Sequence, residues 1–83
     1  MINKDFLSSV FDNYDIKKVL LIHEDESYNF IISEMSTSLT LERWEYLENI
    51  LKDITNKDIN LIPFSQAEKI FDNASINKGL VIK

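Results

Sequence analysis

Lys17-Lys18-Val19-Leu20-Leu21-Ile22-His23 and, after the acidic Glu24-Asp25-Glu26-Ser27, Tyr28-Asn29-Phe30-Ile31-Ile32-Ser33 decide the fold of this chain. Both runs are rich in branched and aromatic residues, which suit a pleated, packed surface. The near-continuous apolar character of Val19 to Ile22 predicts an interior strand covered on both faces. The separator is short enough for a hairpin, so the two strands are predicted to pair antiparallel. Tyr28 and Phe30 fall on one side of the second strand. With no Lys or Arg beside them they suit a packed sheet face better than a base-stacking platform.

On the N-terminal side, Asn3 can cap a helix whose apolar residues Phe6, Leu7, Val10 and Phe11 make one stripe, ending at the turn-like Asp12-Asn13-Tyr14-Asp15. On the C-terminal side, Met35-Ser36-Thr37-Ser38 is a polar connection and Thr40 can cap the main helix. Leu41, Trp44, Leu47, Ile50, Leu51 and Ile54 hold helical spacing along it, and Asn56-Lys57 ends it. In register with Leu41 and Leu47, Trp44 reads as core. Asp58-Ile59-Asn60-Leu61-Ile62 predicts a third strand, halted by Pro63, which has no N–H to donate. Ser65-Gln66-Ala67-Glu68 reads as a capping box opening a last helix with Ala67, Ile70, Phe71 and Ala74 on its inner face. Gly79 allows a left-handed C-cap, and Leu80-Val81-Ile82 a short edge strand. The expected fold is therefore α/β (α+β), one domain over 1–83, with a small mixed sheet of three to four strands and about three helices covering one face.

The chain has 83 residues, 45% of them hydrophobic, which allows one modest core and no second module. It contains no cysteine, which removes disulfides, thiolate metal sites and cysteine nucleophiles and fits a reducing compartment. No apolar run is long enough to span a bilayer and the first residues lack a signal peptide's layout, so a soluble, cytoplasmic protein is expected, with no membrane partner. A net charge of −5 repels a phosphate backbone, and direct nucleic-acid binding is not expected.

Catalytic constellations are sparse. His23 stands beside Glu24, Asp25 and Glu26, but successive residues on a strand or turn point in alternating directions, and the chain has one histidine only. Asp25 and Asp58 could be drawn as a carboxylate pair, though nothing in the sequence brings them together. There is no nucleophile elbow, and the single glycine follows a helix where a phosphate loop needs several before one.

With the segments placed, the chain resembles the minimal nucleotidyltransferases, small relatives of the polymerase-beta-type nucleotidyltransferase fold. Asp58 to Ser65 resembles that family's third carboxylate strand; Ile70 to Ile76 with Lys78-Gly79-Leu80-Val81-Ile82 resembles its closing helix, turn and terminal strand. Leu39 to Ile54 is similar to the family's connecting helix, and Ser27 to Ile32 falls where its Ser-Asp-x-Asp-Leu-Leu strand would lie. The family's chemistry uses three carboxylates that hold two magnesium ions. On this correspondence the paired aspartates are replaced by Tyr28 and Phe30 and the third by Asn60, while the Gly-Ser turn and its basic helix are missing between Ile22 and Ser27. The resemblance implies a truncated, degenerate member without an active site, catalytic residues, metal or cofactor.

Small nucleotidyltransferase-like proteins often act as antitoxins, so the resemblance implies a protein that binds and neutralises a partner, such as a toxin or nuclease with a basic surface. The expected contact patches are the acidic turn Glu24, Asp25, Glu26 and the helix face Glu42, Glu45, Glu48, where clustered like charge is best tolerated against a basic partner. Two other readings stand beside it: a nucleotide-binding or weakly active transferase remnant, and a structural subunit or homo-oligomer joined through the edge at Leu80-Val81-Ile82.

Overall fold

The computed structural model describes residues 3–83 and orders them as α1 (Lys4–Asp12), β1 (Ile16–His23), β2 (Ser27–Met35), α2 (Leu41–Thr55), β3 (Asp58–Pro63), α3 (Phe64–Ile70), α4 (Asn73–Asn77) and β4 (Leu80–Val81). Both cap expectations hold: the Asn3 side chain accepts from the Phe6 N–H, and that of Thr40 from the Arg43 N–H. Asn56 closes α2 in the left-handed region at φ 56°, a conformation that asparagine tolerates better than most residues.

The four strands form a mixed α/β sheet in the order β3-β2-β1-β4. β1 and β2 make the expected antiparallel hairpin, β3 runs parallel to β2 after the α2 crossover, and β4 pairs antiparallel with β1. Register shifts between Ile16 and Val19 mark a bulge. That extra residue changes the phase of the strand, so Ile16, Val19 and Leu21 are all buried while Lys17 and Lys18 both face solvent.

The main core lies between one sheet face and the helices α1 and α2. Leu7 and Phe11 of α1 and Leu47 and Leu51 of α2 meet Val19, Leu21, Tyr28, Phe30, Ile32 and Leu61, and Ile82 seals the β4 side. Phe11 and Phe30 touch edge to face, with ring centroids 5.4 Å apart. Trp44 is half-buried against this core, as its helical register predicts.

Several expectations are corrected. Helices cover both sheet faces, because α3 packs on β2 and β3, and Ile31, which points away from Phe30 and Ile32, is buried along with Ala67. Leu41 is 74% exposed and Ile54 41%, so the helical stripe is narrower than its apolar spacing implied. No capping box forms at Ser65: α3 starts at Phe64 directly from Pro63, and Ser65 lies within its first turn. The last helix is broken at Phe71, whose extended backbone leads to Asp72, the cap of α4. Bonds from the Ser75 backbone N–H and side chain hold the Asp72 carboxyl below its ordinary pKa. The support that this cap gives α4 is therefore present at neutral pH and is lost as the pH falls through the lowered value.

Gly79 is not left-handed. Its smallness serves a close approach instead, since a Cβ there would stand 2.6 Å from the Leu20 Cγ. Gly79→Ala should cost about 1–3 kcal/mol in urea denaturation. The increment should shrink in a Leu20→Ala background, and an unchanged increment would refute the contact.

Candidate functional site

Strand alternation sends Tyr28, Phe30 and Ile32 into the α1/α2 core and Asn29 and Ile31 to the opposite face. In the parallel β2/β3 register, Asn29 lies beside Asn60, while Tyr28 and Phe30 lie beside Ile59 and Leu61. The three positions that stand for the family carboxylates in the resemblance therefore do not converge. Tyr28 and Phe30 are core residues, and Asn60 faces away from them.

What the register does assemble is a polar clasp. Asn29 is 3% exposed, the one buried polar or charged residue among those described. Its Nδ2 donates to the Glu24 Oε1 at 2.6 Å and to the Ile22 carbonyl at 3.3 Å, and its Oδ1 accepts from the Asn60 Nδ2 at 2.9 Å. Both amide groups of Asn29 are thus used inside the protein, which is what burial of a carboxamide demands. Sequence reading passed over Asn29. The available signal was a lone carboxamide inside an apolar interior strand, matched by Asn60 between Ile59 and Leu61.

Over the clasp opens a hollow of about 400 Å³, walled by Leu61, Ile62, Ile70 and Phe71 and edged by Glu24 and Glu48. The break at Phe71 ends α3 here and leaves Ile70 62% exposed. A shallow apolar floor with two carboxylates at its edge is suited to contact with an apolar, basic surface.

The six acidic residues expected to form a contact surface are only partly brought together. Glu24, Asp25 and Glu26 are exposed on the β1–β2 turn, and Glu48, half-buried on α2, joins Glu24 at the hollow. The turn is tied to the start of β3: the Lys57 Nζ donates to the Asp25 carbonyl, and the Asp58 N–H to that of Glu26. Glu42 and Glu45 are exposed on the N-terminal half of α2, about 9 and 4.5 Å along the helix from Glu48, and neither lines the hollow.

His23 is exposed and packs edge to face on Tyr28, with centroids 4.8 Å apart. Among the described residues no group of three His, Cys, Asp or Glu is placed to hold a metal ion, and no helix is long and apolar enough to cross a membrane. Comparisons with protein-family models, curated proteins and solved structures give no match.

The clasp couples the two carboxamides. Asn29→Ala removes three hydrogen bonds at a buried site, and Asn60→Ala leaves the buried Asn29 Oδ1 without its donor, so each should cost about 1–3 kcal/mol. Urea denaturation of the single and double variants measures this, and fully additive losses would contradict the clasp.

Proposed function

We propose that this chain is a non-catalytic, cytoplasmic protein-binding module, of the antitoxin or inhibitor kind, that neutralises a partner protein carrying a basic surface. The observation that carries the reading is the hollow beside the acidic turn. Apolar Ile62, Ile70 and Phe71 lie next to Glu24 and Glu48, and Asp25 and Glu26 extend the negative charge outward from the same turn. Apolar area supplies affinity once water is excluded, and the carboxylates steer a cationic partner and set its orientation.

The resemblance to minimal nucleotidyltransferases belongs to this reading. The side chains that share a face at the centre of β2 and β3 are Asn29, Ile31 and Asn60, and none carries a carboxylate. A clasp whose buried amide is fully hydrogen-bonded within the protein favours a binding scaffold over a metal-dependent transferase.

The test leaves Glu24 intact, because it also holds Asn29. Asp25→Lys combined with Glu26→Lys should weaken binding of the stoichiometric partner captured from the native host by about tenfold or more, with the melting temperature preserved. Unchanged affinity would reject the turn as a contact. A rise in melting temperature with millimolar Mg-ATP would replace the proposal with the nucleotide-binding reading.

A further inference from the structure

β3 is an outer strand of the sheet, and its backbone is paired on one flank only. The Asp58 N–H donates to the Glu26 carbonyl, in a register that sets Ser27 beside Asp58 and Asn29 beside Asn60. In a parallel ladder the N–H and C=O of one residue point to the same flank, and the flank alternates along the strand. Asp58, Asn60 and Ile62 therefore turn their backbone groups to β2, and Ile59 and Leu61 turn theirs outward. No strand lies on that flank among the described residues, and no turn or loop backbone bonds to them there. The N–H and C=O of Ile59 and of Leu61 are left to water. Pro63, with no N–H, closes this edge. The opposite edge of the sheet, β4, has only two residues.

The space beside β3 is open. A hollow of about 450 Å³ is lined by Asp58, Ile59 and Asn60 of β3 and by Glu48, Asn49 and Lys52 of α2. Strand alternation points Asp58 and Asn60 to one sheet face and Ile59 to the other, so a space that all three line lies alongside the edge. Glu48 and Asn60 also line the apolar hollow of Ile62, Ile70 and Phe71, and the two spaces adjoin there. The charged side chains that line them are Glu24, Glu48 and Asp58 against Lys52 alone. None of these four is in an ion pair among the described residues. The edge therefore carries a net negative border next to an apolar floor.

We infer that the partner protein binds by adding an extended, basic segment as a fifth strand along β3, its backbone bonded to Ile59 and Leu61. The inference rests on the reading of the chain as a protein-binding module and specifies the form of the partner's segment. Outward backbone donors and acceptors at strand spacing are matched by another strand, since a helix has its own backbone groups already paired. The border sets the side chains: an apolar residue reaches the floor at Ile62 and Ile70, and Lys or Arg meets Glu48 and Asp58. A second copy of this chain would set Glu48 and Asp58 against the same carboxylates and add a charge of −5. A basic strand satisfies the backbone groups and the border together.

The probe is a synthetic peptide of about seven alternating valines and lysines, blocked at both ends, titrated into the isotopically labelled protein and followed by amide chemical shifts and hydrogen exchange. In the free protein the Ile59 and Leu61 N–H should exchange fast and the Asn60 and Ile62 N–H slowly. Saturating peptide should slow Ile59 and Leu61 about tenfold or more. N-methylation of one alternate set of peptide residues should abolish binding and that of the other set should leave it unchanged, because only one set turns its N–H to β3. A valine/glutamate counterpart should bind far less. Asp58→Lys, at an exposed position, should weaken binding about tenfold while the melting temperature holds. Unprotected Ile59 and Leu61, equal effects of the two methylated sets, or equal binding of the glutamate peptide overturns the proposal. Protection in the protein alone that rises with its concentration also overturns it, in favour of a second copy on the edge. Shifts confined to the Asp25-Glu26 turn overturn strand addition while leaving the protein-binding reading in place.

Discussion

Burial of β2 on both faces is the constraint on which the rest of the structure depends. Tyr28 to Ile32 are five consecutive buried residues at the centre of the sheet. Each large apolar side chain among them is worth about 1.5–3 kcal/mol when removed from water. One face needs α1 and α2 to cover Phe30 and Ile32, and the other needs α3 to cover Ile31. The helix that crosses from β2 to β3 and the helix that follows β3 thus enclose the same strand from opposite sides. The one carboxamide inside this run must be satisfied where water does not reach, and a buried orphan would cost about 1–3 kcal/mol. Asn60 on β3 and Glu24 on the hairpin turn provide that satisfaction. Apolar burial places the strand, and the Asn29 clasp fixes its register against both neighbours.

That arrangement explains why the exposed features lie where they do. α3 begins without a linker from β3 and stops at Phe71, so it covers Ile31 but leaves Ile70 and an apolar hollow beside the acidic turn. On the opposite face, α1 and α2 each anchor to the sheet through their own leucines, Leu7 for α1 and Leu47 and Leu51 for α2. Their adjoining flanks remain open, and Phe6, Tyr46 and Ile54 stay in solvent. The hollow beside the turn combines apolar area with the Glu24 and Glu48 carboxylates, whereas the charged side chains between α1 and α2 are Arg43 and Lys57.

The elements with local chemical signals were legible in the sequence. Asn3 and Thr40 cap the helices they were expected to cap, the apolar runs of β1 and β2 pair as a hairpin, and Asn56 ends α2. Features set by contacts across the chain were not. Ser65 resembles a cap only if the helix waits for it, and Pro63, with its φ already near the helical value, starts the helix sooner. Gly79 was read for its conformational freedom, whereas Leu20 on another strand requires its size. Most instructive is the pairing of β2 with β3. Placing Tyr28, Phe30 and Asn60 together respects sequence spacing but not the parity that the parallel register imposes, and parity decides which side chains meet.

The central claim is that Asn60 shares its face with Asn29 and not with Phe30, and the absence of cysteine from the chain allows a direct measurement. Neighbouring strands lie about 4.7–4.9 Å apart, within the Cα separation that a disulfide bridges. Under mild oxidation the Asn29→Cys/Asn60→Cys variant should form an intramolecular disulfide, and Phe30→Cys/Asn60→Cys should remain reduced. The reverse outcome would contradict the register, and with it the buried clasp, the double-sided strand and the separation of the two surfaces.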